Sequence, residues 1–360
     1  MHRTFLPVGQ GAFYCERFEG DGINKKEVIN VVYDCGSSTG IEIVEHEIRK
    51  KFTLHEKINA LIISHFHEDH INGIPYLLKY CQVKKVYFPH ITKENKKLMK
   101  IYFKLNNVSE IANDLLFDLD KLRERWGNTQ FIEVEEYSEE EWDDSTSNGQ
   151  QRRGKSTNIH FPVLAKVKWE YVLFNFRNKE RIGIIKEELK KEKISLSDAI
   201  DENFFKKNKE KLNAIYKKVP GDFNTNSMTL FSGACTDNVR QYIYNPELYG
   251  YIHCYYKKSG CLFMGDYDAS GKEKWKQLEE AYEPYLKYIG CVQIPHHGSR
   301  RSFNSKLLNI DAEFVISVGY KNRYHHPSAE VVKEIVLHKK WPWIVTEIPK
   351  SIVGAEVELG

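Results

Sequence analysis

One hexapeptide, His65-Phe66-His67-Glu68-Asp69-His70, constrains this chain more than any other stretch. An apolar run, Ile58-Asn59-Ala60-Leu61-Ile62-Ile63, leads into Ser64 and then into the cluster. Beyond it, Ile71, Ile74, Leu77 and Leu78 recur at helical spacing. The pattern predicts a loop between a buried strand and a helix. Imidazoles and a carboxylate packed this closely are a donor set for first-row divalent metals. His65 and His67 can reach one ion, while Asp69 and His70 reach round the turn to a second. A solvated polar loop is the plain alternative. An HxHxDH order after a buried strand nevertheless carries a mechanism that a solvated loop does not need.

Composition narrows the class. The chain has 360 residues, enough for one large domain or two modest ones. Lys plus Arg number 53 and Asp plus Glu 50, a net charge of +3. That balance is no sign of a strongly basic nucleic-acid binder, though a local patch stays open. The 41% hydrophobic and 13% aromatic content argues for a globular protein rather than a disordered one. No apolar run approaches the ~18 residues of a membrane span. The N-terminus, Met1-His2-Arg3-Thr4-Phe5, reads directly as strand, without a signal-peptide pattern. Seven cysteines without a CxxC pair fit a reducing compartment, so a cytoplasmic location without membrane attachment is expected.

Along the chain, glycines flank Gln10 in Val8-Gly9-Gln10-Gly11, which suits a tight turn, and Asp21-Gly22 signals a hairpin. Val28 to Val32 is a β-branched run ending at Tyr33-Asp34-Cys35-Gly36; Asp34 there reads as a turn residue. Gly40 to Lys51 reads as an amphipathic helix with Ile41, Val44 and Ile48 on one face. From about 92 to 215 the character changes to Lys-rich and acidic runs with a Ser/Gly/Arg-rich loop at 145–156. This stretch is expected to be a mainly helical elaboration inserted between two halves of a single-domain core, and a candidate surface for a protein partner or oligomer. Its charges read first as solvated faces. As a polyanion track they would use Lys96, Lys97, Lys100 and Lys104, or Arg152, Arg153 and Lys155. Tyr251 to Tyr256 and Cys261 to Met264 are expected to pair as a hairpin; Gly271 to Tyr288 and about 328–338 are expected helices.

Of the 14 histidines, His65, His67 and His70, His296 and His297, and His325 and His326 fall in three motifs, each after a short apolar strand. Strand ends on one sheet edge converge, which is how a site is assembled on such scaffolds. Gly265-Asp266 has the same context. A lone Asp there is usually a turn residue; between His motifs it is a candidate bridging ligand. His90, alone after a strand, reads as a strand-end histidine.

The hexad resembles the signature of the metallo-β-lactamase superfamily, which implies an αββα four-layer sandwich carrying a one- or two-metal hydrolase site. The order of motifs further resembles its ComEC-type branch, named after the DNA-uptake channel protein. The matching residues are Val8 to Gly11, Asp34-Cys35-Gly36, His65 to His70, Asn224 or Asn226 before Ser227, Gly265-Asp266 and His296-His297-Gly298-Ser299. Ser317, Gly319, Asn322, Tyr324, His326, Pro327 and Ser328 match the closing motif. Pro7 and Ala12 stand where that branch usually has Asp, and His325 where it has Gly. The resemblance gives Asp34 a role in orienting a ligand. It leaves the third histidine of the first ion without a clear equivalent: Asn224 or Asn226 falls there, with His160 and His253 as substitutes.

On this reading two divalent ions, Zn²⁺ or Mn²⁺, are expected. His65, His67 and Asp266 hold one; Asp69, His70, Asp266 and an HHGS histidine hold the other, with His296 taken as the ligand and His297 as a catalytic partner. Two ions roughly 3.5–4 Å apart activate a bridging water and neutralise a phosphodiester. Asp69 orients the hydroxide. His326 is the candidate proton donor, with capping of the next helix as its alternative role. Asn322 and Ser299 are assigned to the phosphate, and Arg300 and Arg301 to a polyanion backbone or to plain solvation. The expected activity is a DNA-cleaving phosphodiesterase or nuclease. A small-molecule hydrolase, acting on a cyclic nucleotide, a phosphorylcholine ester or a lactone, and a non-catalytic binding subunit are the alternatives.

Overall fold

Short apolar runs that stop at Gly, Asp or His cannot make long helices, and they build sheets here. The computed structural model describes residues 1–19, 28–106, 108–137, 156–176, 180–218, 227–247 and 254–359. A nine-stranded sheet runs in the order Cys254–Tyr256, Val239–Tyr244, Val353–Leu359, His2–Phe5, Gly11–Phe18, Ile29–Ser37, Ala60–Ile62, Lys85–Pro89, Gln130–Val134. A seven-stranded sheet runs Pro342–Val345, Glu313–Ser317, Ile289–Gln293, Gly260–Phe263, Thr229–Ala234, Trp169–Phe174, Thr157–Ile159. Phe5, Tyr14, Tyr33 and Phe263 fill the space between them. Helices cover both outer faces: Val44, Ile48 and Leu77 pack on the first sheet, and Trp275, Leu278, Val331 and Ile335 on the second. This is the expected αββα sandwich.

The register positions the site. Ile29–Ser37, Ala60–Ile62, Lys85–Pro89 and Gln130–Val134 are mutually parallel. So are Gly260–Phe263, Ile289–Gln293, Glu313–Ser317 and Pro342–Val345 in the other sheet. Parallel strands bring their carboxyl ends to one edge, where open α/β sheets gather their ligands. The sheets are tied by Arg3, wholly buried between them. Its Nε donates to Glu16 Oε1 at 2.7 Å, Nη1 to Gln241 Oε1 at 3.0 Å, and Nη2 to the Ser232 carbonyl at 3.1 Å. A buried charge left without its partner costs several kcal/mol, about 3–5, so this network resists any shift of one sheet over the other.

Several expectations change. Cys254–Tyr256 pairs with Val239–Tyr244 in the first sheet, while Gly260–Phe263 lies in the second, so these strands form no hairpin. The chain crosses between sheets at buried Ser259, whose hydroxyl accepts from the Ala234 N–H at 2.8 Å. Ile41 is 39% exposed, because it opens its helix, Ile41–Lys51, before Val44 and Ile48 dip into the core. The helix after Gly271 ends at Tyr282. Within 92–215, Gln130–Val134, Trp169–Phe174 and Thr157–Ile159 are sheet strands, so that range is not purely an elaboration. Helices Lys93–Asn106, Glu180–Lys191, Leu196–Ile200 and Glu202–Lys217 do share a separate core that includes Leu98, Ile101, Ile185, Ala199, Leu212 and Ile215. Lys96 pairs with Glu133 at 2.7 Å and Lys104 with Glu202 at 2.5 Å, so each already meets a carboxylate. Asp21, Gly22, Arg152, Arg153 and Lys155 lie outside the described residues. Among the described residues no helix is long and apolar enough to cross a membrane.

Candidate metal centre

The hexad leaves strand Ala60–Ile62 and turns into a single helical turn, Glu68–Ile71, with His67 at its start. That turn sits directly on Gly36: a Cβ there would lie 2.6 Å from Ile71 N and 2.7 Å from His70 N. Backbone cannot yield to such a clash, so glycine is required for His70 to reach the centre. Opposite, Gly265 at φ +51 reverses the chain after Gly260–Phe263 and delivers Asp266. Gln293 holds that reversal, its Oε1 accepting the N–H groups of Met264 and Gly265, both at 2.7 Å. His296 and His297 follow Ile289–Gln293 with φ of 50° and 54°, and Asp34 has φ 56°. Left-handed backbone at non-glycine residues costs about 1–3 kcal/mol apiece and persists where surroundings enforce it.

Among the described residues two sets of donor atoms converge: His65, His70 and Asp266; and Asp69, His70 and His297. His65 Nε2, His70 Nε2 and Asp266 Oδ1 are buried without a hydrogen-bond partner. His70 Nε2 and Asp266 Oδ1 are 3.2 Å apart but lack hydrogen-bond alignment. Bare buried polar atoms are expensive, and a cation accepting their lone pairs removes the penalty. The residues fit a divalent metal on this ground.

The outward-facing nitrogens explain why the inward ones are available. His70 Nδ1 donates to Asp34 Oδ2 at 2.7 Å. His65 Nδ1 meets Ser64 Oγ at 2.9 Å, and Ser64 Oγ in turn donates to Asp34 Oδ2 at 2.7 Å. Asp34, fully buried, also accepts the Ser64 N–H at 2.7 Å. One carboxylate therefore sets the tautomer of both imidazoles and aims each Nε2 at the centre. Ser227 Oγ approaches His65 Nδ1 at 3.1 Å and accepts the Asp266 N–H at 2.8 Å. His297 Nδ1 donates to the Ser317 carbonyl at 2.8 Å, presenting Nε2 to Asp69 Oδ2 at 3.2 Å. His296 Nδ1 is 3.0 Å from Ser302 Oγ, and its Nε2 is 3.7 Å from Asp266 Oδ2.

Asp266 divides the cluster. Its Oδ1 faces His70 at 3.2 Å and His297 at 3.7 Å; its Oδ2 faces His65 and His296, both at 3.7 Å. Burial would raise the pKa of this carboxyl. The imidazoles of His296, His70 and His297 outweigh burial and hold it well below the usual carboxylate range. Burial likewise works against a charge on His70, but Asp266, Asp34 and Asp69 around it raise its pKa well above the ordinary imidazole value. For His65, burial and the neighbouring His70 push the pKa well down.

The remaining sequence expectations fare unevenly. His67 lies beside the cluster, its ring centroid 4.8 Å from that of His65, but joins neither donor set. His70, expected at one ion, belongs to both sets. His297, taken as catalytic, stands among the donors, because the Ser317 carbonyl turns its Nε2 inward. Asn322, expected at a phosphate, bonds to its own loop. Its Nδ2 donates to the carbonyls of Gly319 at 2.8 Å and His326 at 2.6 Å, and its Oδ1 accepts the N–H groups of Tyr324 at 3.1 Å and His326 at 2.9 Å. Both donors and both acceptors are spent on the loop. Ser299 is buried behind the histidine pair, its N–H closing the turn to the His296 carbonyl at 2.8 Å. Arg300 pairs with Glu330 at 2.9 Å on the surface, while Arg301 is exposed. His326 is half-buried, its ring 5.9 Å from that of His296; burial and the neighbouring His296 and His297 push its pKa down to about 4. His160 is exposed just past edge strand Thr157–Ile159 and belongs to neither donor set. Asn224, Asn226 and His253 lie outside the described residues. Ser64 and Gln293 were not singled out by the sequence reading: Ser64 adjoins the hexad, but nothing in the sequence marks Gln293.

A double-sheet sandwich with imidazoles and carboxylates gathered at its parallel strand ends is the build of a metallohydrolase. Residues 28–179 match the family model described as the metallo-beta-lactamase superfamily. The match covers less than half of the chain's 360 residues, and the imidazole and carboxylate clusters within and beyond it could hold divalent metals. The matched range contains the hexad but not Asp266 or the HHGS motif. Ribonuclease J of Mycoplasma pneumoniae is 37% identical over 67 residues, which is 17% of this chain and 12% of that protein. Ribonuclease J of Mycoplasma genitalium is 36% identical over 67 residues, with the same shares. The chain thus spans only 12% of the length of these curated relatives. A diphosphatase of the PhnP family aligns over 92% of this chain and 91% of its own, with 10% identity and a TM-score of 0.34, too loose a likeness to inform on activity.

Proposed function

We propose that this chain is a two-metal phosphodiesterase, a nuclease of the ComEC-type branch acting on nucleic acid, with Zn²⁺ or Mn²⁺ as its metal. The observation that carries the reading is the division of Asp266, with one oxygen toward His70 and His297 and the other toward His65 and His296. A single carboxylate between two groups of imidazoles suits two neighbouring cations. One cation would be held by His65, His296 and Asp266 with His67 beside them, and the other by Asp69, His70, His297 and Asp266. His296 would then supply the third histidine that the sequence leaves open. When bound, the pair supplies charge neutralisation and water activation. Asp34 keeps His65 and His70 in the ligating tautomer. Asn322 holds the loop that sets His326 beside His296, where it can meet a leaving oxygen. Local similarity to proteins named ribonuclease J agrees with a nucleic-acid phosphodiester as substrate.

The helices within 92–215 are proposed as an elaboration on this core, docked to the hexad where Glu68 Oε1 accepts the Ser109 N–H at 2.7 Å. The test is direct. Purified protein, assayed with Mn²⁺ and with Zn²⁺, should hydrolyse labelled DNA or RNA and bind close to two ions per chain. The Asp69→Ala, His70→Ala double variant should do neither. Hydrolysis undiminished in the double variant removes the assigned site.

A further inference from the structure

The loop after strand Glu313–Ser317 does more than carry His326. Tyr320 is 69% exposed and Tyr324 53% exposed, although large aromatic rings normally seek burial. They are not held loosely. Asn322 spends four hydrogen bonds inside the loop, Gln10 Oε1 accepts the Gly319 N–H at 3.2 Å, and Glu347 accepts the Tyr320 N–H at 2.9 Å. The loop backbone is therefore held while two rings stand in water, and His326 links the Tyr324 ring to His296 of the cluster.

Their arrangement leads inward. The Tyr324 ring lies near-parallel to that of His326, at 20° and 6.0 Å between centroids. The His326 ring is 5.9 Å from that of His296. On the solvent side, the Arg323 guanidinium sits 5.1 Å from the Tyr324 ring centroid and donates to its hydroxyl at 2.9 Å. Lys321 and Arg301 are exposed on the same motif loops. Flat rings followed by cations, ending at ligands for phosphate-binding metals, match the alternation of base and phosphate in a nucleic-acid strand. A surface guanidinium on a ring face exchanges readily for a nucleobase and stays beside the phosphate.

Resting on the phosphodiesterase reading, we infer that Tyr324, with Tyr320 outside it, is a stacking platform for an unpaired nucleobase next to the cleaved phosphate. This makes the substrate class single-stranded nucleic acid. A duplex keeps its base faces stacked inside the helix, and a phosphorylcholine ester or lactone has no flat aromatic face to offer.

The test compares two labelled 12-mers with the full chain in Mn²⁺, one with all bases and one with abasic residues around the cleavage site, in DNA and RNA forms. Stacking is worth enough per base that wild type should prefer the base-bearing strand about 5- to 100-fold in kcat/KM, chiefly through KM. Tyr324→Leu should bring that preference close to one. Tyr324→Phe, which keeps the ring, should retain it, and Tyr320→Leu should reduce it partly. Metal content of each variant reports whether the centre is intact. Equal cleavage of base-bearing and abasic strands by wild type overturns the platform while leaving the phosphodiesterase reading standing, whatever the variants do. So does a preference for duplex over single strand. A wild type that cleaves neither strand nor a chromogenic phosphodiester, in Mn²⁺ or Zn²⁺, overturns both.

Discussion

His70 and His90 follow neighbouring parallel strands of one sheet, Ala60–Ile62 and Lys85–Pro89, and each meets a carboxylate through Nδ1. The environments then diverge. The side chains of His70 and Asp34 are 1% and 0% exposed, those of His90 and Glu133 27% and 23%. Glu133 is shared with Lys96 at 2.7 Å, and His90 Nε2 faces Glu135, whose side chain is largely exposed, at 4.0 Å. Both ring nitrogens of His90 face carboxylates. At His70 the outward nitrogen is satisfied while the inward one, with His65 Nε2 and Asp266 Oδ1, has no hydrogen-bond partner. A metal centre is thus marked by convergent donors that the protein declines to satisfy, rather than by His and carboxylate in proximity.

This contrast is broken most severely by removing Asp266. Asp266→Ala should abolish binding of both ions and lower turnover by more than about 100-fold, because changing even the partners of metal ligands costs about 10- to 100-fold. Metal analysis and a phosphodiester assay check it; retention of both ions would end the bridging assignment. Gly36→Ala should come next. The added methyl collides with the backbone of His70 and Ile71, so the hexad turn must shift. Overpacking of this kind costs about 1–3 kcal/mol, read as a lower Tm together with reduced metal content. A stable variant with full metal would show that the turn tolerates displacement. Asp34→Asn should retain the fold and lose about 10- to 100-fold in metal affinity, measured by competition with a chelator. Ser64→Ala removes only one relay from Asp34 to His65, and its loss should be about 2- to 10-fold, the size of one hydrogen bond.

The sequence made much of this contrast legible, for reasons particular to each residue. The strand before His65, the helical spacing after it, and Gly265-Asp266 between His motifs all follow from local pattern, and parallel strand ends bring them together. The two oxygens of Asp266 could not be apportioned from sequence, because that depends on how one sheet faces the other across Arg3 and Glu16. The bonding of Asn322 is hidden for a related reason: a motif position shows that an amide is wanted, but not whether its bonds go to a ligand or, as here, to its own loop. Gln293 was invisible, since a glutamine at a strand end is unremarkable until the Gly265 reversal is seen resting on it. The crossing at Ser259 was read as a hairpin because alternation within a strand carries no label for its sheet.

The smallest expected effect tests the contrast from its other side. His90→Gln removes an imidazole one strand away from the hexad, so a loose reading of the site would predict damage. The bonding predicts almost none. His90 Nδ1 serves Glu133, which keeps Lys96 as a partner after the substitution. Partly exposed pairs contribute little, about 0–1 kcal/mol, so Tm should fall by no more than a few degrees. Both ions should remain, and kcat/KM should stay within about twofold of wild type, since no donor of either set is touched. Loss of one ion in His90→Gln would mean that His90 ligates in the loaded protein despite its carboxylate partner. The rule drawn from the comparison, that an imidazole turned toward convergent buried donors ligates while one facing partly exposed carboxylates is structural, would then fail at the position where it makes its plainest claim.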